Sequence, residues 1–476
     1  MNSMNTRAEK TFFGHPRPLF TLFFTEMWER FSFYGMRALL VLYMTQYLFV
    51  EAQAGREPWG FSAIKAWFEG SYGELTTQAL SSHIYGLYVG LVYFTPFFGG
   101  IIADRWLGQK RSVYVGAVVM AIGHFLMAIE NLFFPALLFI IIGNGFFKPN
   151  ISTQVGGLYQ QGDSRRDRAF TLFYMGINLG AFFSPLVCGT LGQKVGWHWG
   201  FGAAGVGMLI SLLIYHLGHK GLPDTDLKFS KPNSTVQATA KTPLTAEEWK
   251  RTIGLTFLCA VTIFFWGVYE QQGNTLQLWA DQNTDWVFFG WEIPSTWYQS
   301  FNPFIIFFFA PIMDRVWAWQ SRRKSEPGTV IKMAIGCLLG SIALLIMFGA
   351  AYVVGGGKGT VMWLLGSTFL LTLGELYISP IGLSLVTKVA PAKIVSMMMG
   401  VWFLASFAGG HLSGIIGSNY ETMSKETFFL YLAALGLVPA VLFVVTNRVL
   451  TRSLSHQSSG SPTPTPPTHS SKMQEA

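Results

Sequence analysis

The chain has 476 residues, of which 51% are hydrophobic, 16% aromatic and only 12% charged, with a net charge of +8. Soluble domains carry about 25% charged residues, so a soluble globular protein is excluded and a polytopic membrane protein is indicated. The basic excess does not point to nucleic acid, because most Lys and Arg residues sit between apolar runs, where they report topology.

A spanning helix needs about 20 apolar residues. Runs of this kind predict an all-α polytopic membrane protein with about twelve transmembrane helices, over 18–48, 79–104, 111–131, 133–159, 169–193, 198–218, 250–280, 296–320, 329–354, 360–389, 393–418 and 426–450. The opening MNSMNTRAEK is polar and the first apolar run is too long for a signal core, so no cleaved signal is expected. The first run contains EMWERFSFYGMR, residues 26–37. On a helix, positions 26, 29, 30, 33 and 37 share one face, with Tyr34 beside them. Met27, Trp28, Phe31 and Leu39 are expected on the lipid side. Charge inside a membrane is costly, so the stripe of Glu26, Glu29, Arg30 and Arg37 should face a bundle interior or a water-filled cavity. The alternative is that these charges only pair with one another to lock helix packing.

The loop 49–78 is long and aromatic, and a short interfacial helix is expected there. The second span ends GIIADRWLGQKR, and the eighth ends APIMDRVWAWQSRRK. Each places Asp-Arg before a basic cluster, six helices apart. Lys148 lies in the fourth span, Glu270 in the seventh and Glu375 in the tenth, each with few charges nearby. GINLGAFFSP and LASFAGGHLSG, in the fifth and eleventh spans, are small-residue faces suited to close packing. The polar stretch 219–249 is too short for two further spans. The three cysteines, Cys188, Cys259 and Cys337, lie in apolar runs and read as packing residues. His83, His124, His198, His216 and His411 are unclustered and read as structural or interfacial. No cofactor and no metal are expected.

Basic loops alternate with sparsely charged ones. Arg105, Lys110 and Arg111, then Arg165, Arg166 and Arg168, then Lys220, Lys228, Lys231 and Lys241, then Arg322, Arg323 and Lys324 all fall on one side. That side, with both termini, is assigned to the cytoplasm. The resulting division is a cytoplasmic N-terminal segment (1–17), a six-helix bundle (18–218), a cytoplasmic linker (219–249), a second six-helix bundle (250–452) and a disordered cytoplasmic tail (453–476). Two six-helix halves with an internal duplication resemble the layout of the major facilitator superfamily.

Taken together, the intramembrane carboxylates Glu26, Glu29, Glu270 and Glu375 outnumber the cations Arg30, Arg37 and Lys148 by one. A carboxylate without a partner is a plausible proton carrier. A zwitterion would place its carboxylate on Arg37 and Lys148 and its ammonium on Glu270 and Glu375. Asn178, Asn302 and Ser379 are candidates to hydrogen-bond a peptide unit between them, and Tyr34, Tyr93, Trp266 and Trp402 to line side-chain pockets.

EMWERFSFYG resembles the ExxERFxxYG motif of the proton-coupled oligopeptide transporters, a branch of the major facilitator superfamily. FYMGINLGAFFSP, GFFKPN and GELYISPIGL are similar to that family's segments in the fifth, fourth and tenth helices. The resemblance implies a proton-coupled symporter that imports di- and tripeptides by alternating access. It is expected to be a monomer in a plasma membrane, the inner membrane in bacteria. Transport of nitrate or another small anion or zwitterion on the same fold is the alternative, and no enzymatic activity is expected. The resemblance further implies proton coupling through Glu26, Glu29 and Arg30 with Lys148 and Glu270, and peptide binding by Arg37, Lys148, Glu270 and Glu375 with the polar and aromatic residues named above. It implies gating salt bridges Arg37–Glu270 and Lys148–Glu375. Two positions depart from the pattern. Phe33 stands where many relatives have Tyr, and Gly86 where mammalian relatives have a histidine.

Overall fold

A computed structural model describes residues 11–160, 163, 165–222 and 243–454. Residues 1–10 of the expected N-terminal segment, most of the linker (223–242) and the tail from 455 lie outside the described residues.

The chain folds into long helices that follow the apolar runs. They are α1 Arg17–Gln53, α2 Thr77–Leu107, α3 Gln109–Leu126, α4 Glu130–Gly157, α5 Arg165–Val195 and α6 Trp197–Gly221. After the linker come α7 Ala246–Gln282, α8 Ser295–Arg322, α9 Thr329–Val354, α10 Met362–Val389, α11 Val395–Gly417 and α12 Lys425–Leu454. Among the described residues, 11 helices are long and apolar enough to cross a membrane. The exception is α3, whose 18 residues open on Gln109, Lys110 and Arg111. At 1.5 Å per residue it spans roughly 27 Å. Its glycines seat it against α4, where a Cβ on Gly116 would lie 2.7 Å from the Gly143 carbonyl oxygen. A short helix, Phe61–Tyr72, occupies the first loop, with Phe68 buried and Trp67 exposed.

The helices form two six-helix bundles with the major facilitator architecture. In the first, α1 packs against α5 and α6, and α4 packs against α2 and α3; in the second, α9 packs against α10 and α12, and α7 against α11 and α12. α1 is a central helix. The expectation that Phe31 and Leu39 face lipid is therefore corrected: they are 8% and 0% exposed. Leu39 fills the space left by Gly192 and Gly200, and Phe31 packs on Gly207. The reason is that α5 and α6 cover α1, and their small residues make a surface as apolar as lipid.

The bundles meet along two seams, α2 with α11 and α5 with α8. At the centre of the first, backbone meets backbone. A Cβ on Gly86 would lie 2.5 Å from the Gly414 nitrogen and 2.6 Å from the Gly410 oxygen. The position aligned with the relatives' histidine thus has no room for a side chain. Pro149 and Pro380 interrupt α4 and α10. Each removes one backbone hydrogen bond beside a candidate site residue, Lys148 or Ser379.

Substituting Gly86 with Val should wedge the seam apart. Overpacking of this kind costs about 1–3 kcal/mol, so the thermal unfolding midpoint of the purified variant is expected to fall. Cysteine cross-linking between the ends of α2 and α11 should weaken with it.

Candidate functional site

The helical period carries the charged stripe of α1 into the space between the bundles. Arg30 Nε lies 3.3 Å from Glu26 Oε1, and its Nη2 donates to Glu29 Oε1 at 2.6 Å. The same guanidinium donates to Asn144 Oδ1 on α4 at 3.3 Å, and Asn144 Nδ2 in turn donates to the Val92 carbonyl at 2.9 Å. One cation is thus shared by two carboxylates and held in place from two other helices. All three groups are buried.

Two turns further on, the expected pair forms between the bundles. Arg37 Nη2 donates to Glu270 Oε2, and Arg37 Nε donates to the Tyr85 hydroxyl at 2.9 Å. Local backbone makes this possible. The α-helical part of α7 ends at Tyr269 and tightens into a 3₁₀ turn, Glu270–Gly273. A Cβ on Gly273 would lie 2.0 Å from the Tyr85 hydroxyl, so only glycine lets α7 pass the Arg37–Tyr85 contact.

The second expected gating pair, Lys148–Glu375, is not formed in this structure. Lys148 Nζ sits 4.9 Å from the Tyr93 ring centroid, within cation–π range. Glu375 Oε2 instead accepts from the Tyr269 hydroxyl at 2.7 Å and from Asn302 Nδ2 at 3.0 Å, while Asn302 also donates to Thr372 Oγ1 at 3.0 Å. The physical reason is the closure pattern. The cross-bundle hydrogen bonds lie at or beyond Arg37, toward the end that carries the 282–295 loop. Gln46 Nε2 donates to Asp281 at 2.6 Å, Trp297 Nε1 to Thr190 at 2.9 Å and Ser82 Oγ to Asn274 at 2.9 Å. Lys194 pairs with Glu292 at 2.7 Å. At this exposed pair, the Lys194 ammonium holds the Glu292 carboxyl below its ordinary range. Lys148 and Glu375 sit on the other side of this closure, where α4 and α10 stand apart.

Between the bundles lies a cavity of about 340 Å³. Glu26, Arg30, Tyr34, Arg37, Tyr93, Lys148, Asn178, Trp266, Asn302, Glu375, Ser379 and Trp402 all line it. Glu29 and Glu270 do not; they lie behind Arg30 and Arg37 as the buried halves of the ion pairs. Leu383, 40% exposed and one turn beyond Ser379, also lines the cavity, on the side of the basic loops. Sequence reasoning missed several members. Tyr174, Tyr269, Gln272, Tyr298 and Gln299 line the cavity, and Tyr85 and Asn144 position its arginines. Helical spacing carried a signal for two: Asn144 is one turn before Lys148, and Tyr269 is adjacent to Glu270.

Two helical bundles closing on a charged, partly aromatic cavity define a membrane transporter of the major facilitator fold. A profile of the POT family matches residues 110–242 and 225–430. The chain is 35% identical to the peptide transporter YePEPT of Yersinia enterocolitica subsp. palearctica serotype O:3, over 88% of this chain and 91% of that protein. It is 31% identical to a di-/tripeptide transporter of Lactococcus lactis subsp. cremoris, over 94% and 98% of the two chains. A crystal structure of the peptide transporter POT in complex with sulfate superposes with a TM-score of 0.80 at 32% identity, covering 94% of this chain and 97% of that one. A POT family transporter in complex with 5-aminolevulinic acid superposes with a TM-score of 0.78 at 28% identity, covering 93% and 98%. The protein belongs to the POT family.

Removing one partner of a buried ion pair strands the other, at about 3–5 kcal/mol, whereas replacing both with apolar groups is far milder. Glu270→Leu and Arg37→Met are therefore each expected to lower the thermal unfolding midpoint, and the double substitution to recover most of the loss. A double-mutant cycle on the purified protein reads the coupling.

Proposed function

We propose that the protein is a proton-coupled symporter that imports di- and tripeptides by alternating access. The observation that carries this reading is the charge arrangement of the cavity. Arg30 engages two carboxylates and Arg37 one, which leaves Lys148 and Glu375 facing the cavity without an ion-pair partner among the described residues. A peptide is a zwitterion of matching polarity. Its carboxylate would meet Lys148 and Arg37, and its amino terminus Glu375. Asn178, Asn302 and Ser379 would hydrogen-bond the peptide unit, and Tyr34, Tyr93, Trp266 and Trp402 would bound the side-chain pockets. The names of the relatives point the same way, since they specify peptides rather than nitrate.

Proton coupling is assigned to the Glu26–Glu29–Arg30 cluster, in communication with Lys148 and Glu270. Glu26 lines the cavity, and its Oε2 is buried with no hydrogen-bond partner. A proton on that oxygen would neutralise the carboxyl and loosen its hold on Arg30. A proton on Glu270 would likewise weaken its cross-bundle pair with Arg37. Proton and peptide together would shift the population between states that are closed at opposite ends. In the state described here the closure is at the 282–295 end. With the basic loops and both termini in the cytoplasm of a plasma membrane, that closed end is the outer one and the cavity faces inward. The division into bundles at 18–218 and 250–452 with a linker between them fits this rocking motion, as does a monomer with one central site.

The test is dialanine uptake into liposomes containing the purified protein. An inward proton gradient should drive accumulation, and excess unlabelled dialanine should compete while nitrate should not. Glu26→Gln should abolish gradient-driven accumulation and retain peptide exchange. Full gradient-driven accumulation by Glu26→Gln would remove Glu26 from the coupling path, and competition by nitrate would replace the peptide reading.

A further inference from the structure

A second cavity lies outside the transport site. It is a groove of about 670 Å³ in the surface of the first bundle. α5 and α6 form its walls, and Met27, Trp28 and Phe31 of α1 form its floor. Phe183, Val187 and Val206 on the walls are 48%, 42% and 51% exposed, so the groove opens toward the bilayer.

Its construction is specific. None of its lining residues carries a charge, an amide or a hydroxyl, so water entering it would find few polar partners. Gly180 and Gly207 let the walls approach α1 closely; a Cβ on Gly180 would lie 2.1 Å from the Met27 carbonyl oxygen. Gly202 does the opposite. A Cβ there would meet nothing within 4 Å, so it borders open space. Along α6 the groove runs from Trp199 to Ile210, about 16 Å at 1.5 Å per residue. This is about half of a ~30 Å hydrocarbon core, the depth of one leaflet. Trp199, 66% exposed, stands at the rim near the start of α6, and Lys194, paired with Glu292, lies one residue before the end of α5.

We propose that this groove binds one acyl chain of a phospholipid in the leaflet at the Trp199 end, with the headgroup phosphate at the level of Lys194. The chain lies against the back of the α1 segment whose front carries Glu26, Glu29 and Arg30. Met27, Trp28 and Phe31 alternate with those charges along the same two turns. A seated chain therefore braces the charged segment from the side away from the transport cavity.

The experiment uses the full chain in vesicles of phosphatidylethanolamine and phosphatidylglycerol, doped with a phosphatidylcholine that carries a diazirine in mid-chain. After illumination, labelled residues are located by peptide mass spectrometry. Adducts are expected on residues 27–31 as well as on freely lipid-facing residues such as Val444 and Val445 of α12. Gly202→Phe places a ring in the open part of the groove. It should reduce labelling of 27–31 to background and leave labelling of Val444 and Val445 unchanged, which also reports an intact, inserted protein. Wild-type adducts confined to outward-facing residues would overturn the proposal without recourse to any variant. So would labelling of 27–31 that persists in an inserted Gly202→Phe protein, because the chain would then reach α1 by another route.

Discussion

Arg37 and Glu270 lie in different bundles, and neither can stay charged in the hydrocarbon region without the other. Satisfying them pulls α1 and α7 together at one depth. The neighbouring features follow from that requirement. Tyr85 completes the guanidinium's hydrogen bonds, Gly273 clears the space for Tyr85, and the 3₁₀ turn at Glu270–Gly273 sets the carboxylate's direction. Beyond this depth the described residues tie the bundles by hydrogen bonds, some of them to carboxylates such as Asp281, and by the exposed pair Lys194–Glu292. On its other side they part to leave the cavity. One buried ion pair thus divides the molecule into a sealed portion and an accessible one.

The second charged cluster obeys the same rule differently. Arg30 is a planar fork with several donors, and it serves two carboxylates and an amide at once. A lysine offers only a point charge, and Lys148 here rests on an aromatic face. The sites that hold charge continuously use arginine. Among the described residues, the groups left facing the cavity without a counter-ion are Lys148 and Glu375.

Much of this was legible in the sequence because helices print their period. The α1 stripe, the isolated Lys148, Glu270 and Glu375 and the small-residue seams were all readable from spacing and from the high cost of charge in lipid. Other features had no such signal. Phe31 and Leu39 were misplaced because a glycine-lined protein surface is as apolar as lipid, so hydropathy cannot separate the two. Tyr85 was missed because tyrosines are common in spans and nothing local marks one that binds a buried ion. The Lys148–Glu375 pair was expected from the resemblance to the transporter family. Whether they meet depends on which end of the molecule is closed, and that is a property of one conformation rather than of the chain.

The α2–α11 seam has a kinetic consequence. Where Gly86 meets Gly410 and Gly414, backbone touches backbone. Interdigitated side chains must leave one set of rotamers and find another before two helices can slide, and each hop adds to the activation barrier. A contact without side chains has no rotamers to exchange. Small rotations of one bundle on the other can proceed there as a smooth roll, so the barrier to changing state resides at the ends of the helices, where the polar closures must break, and not at the fulcrum.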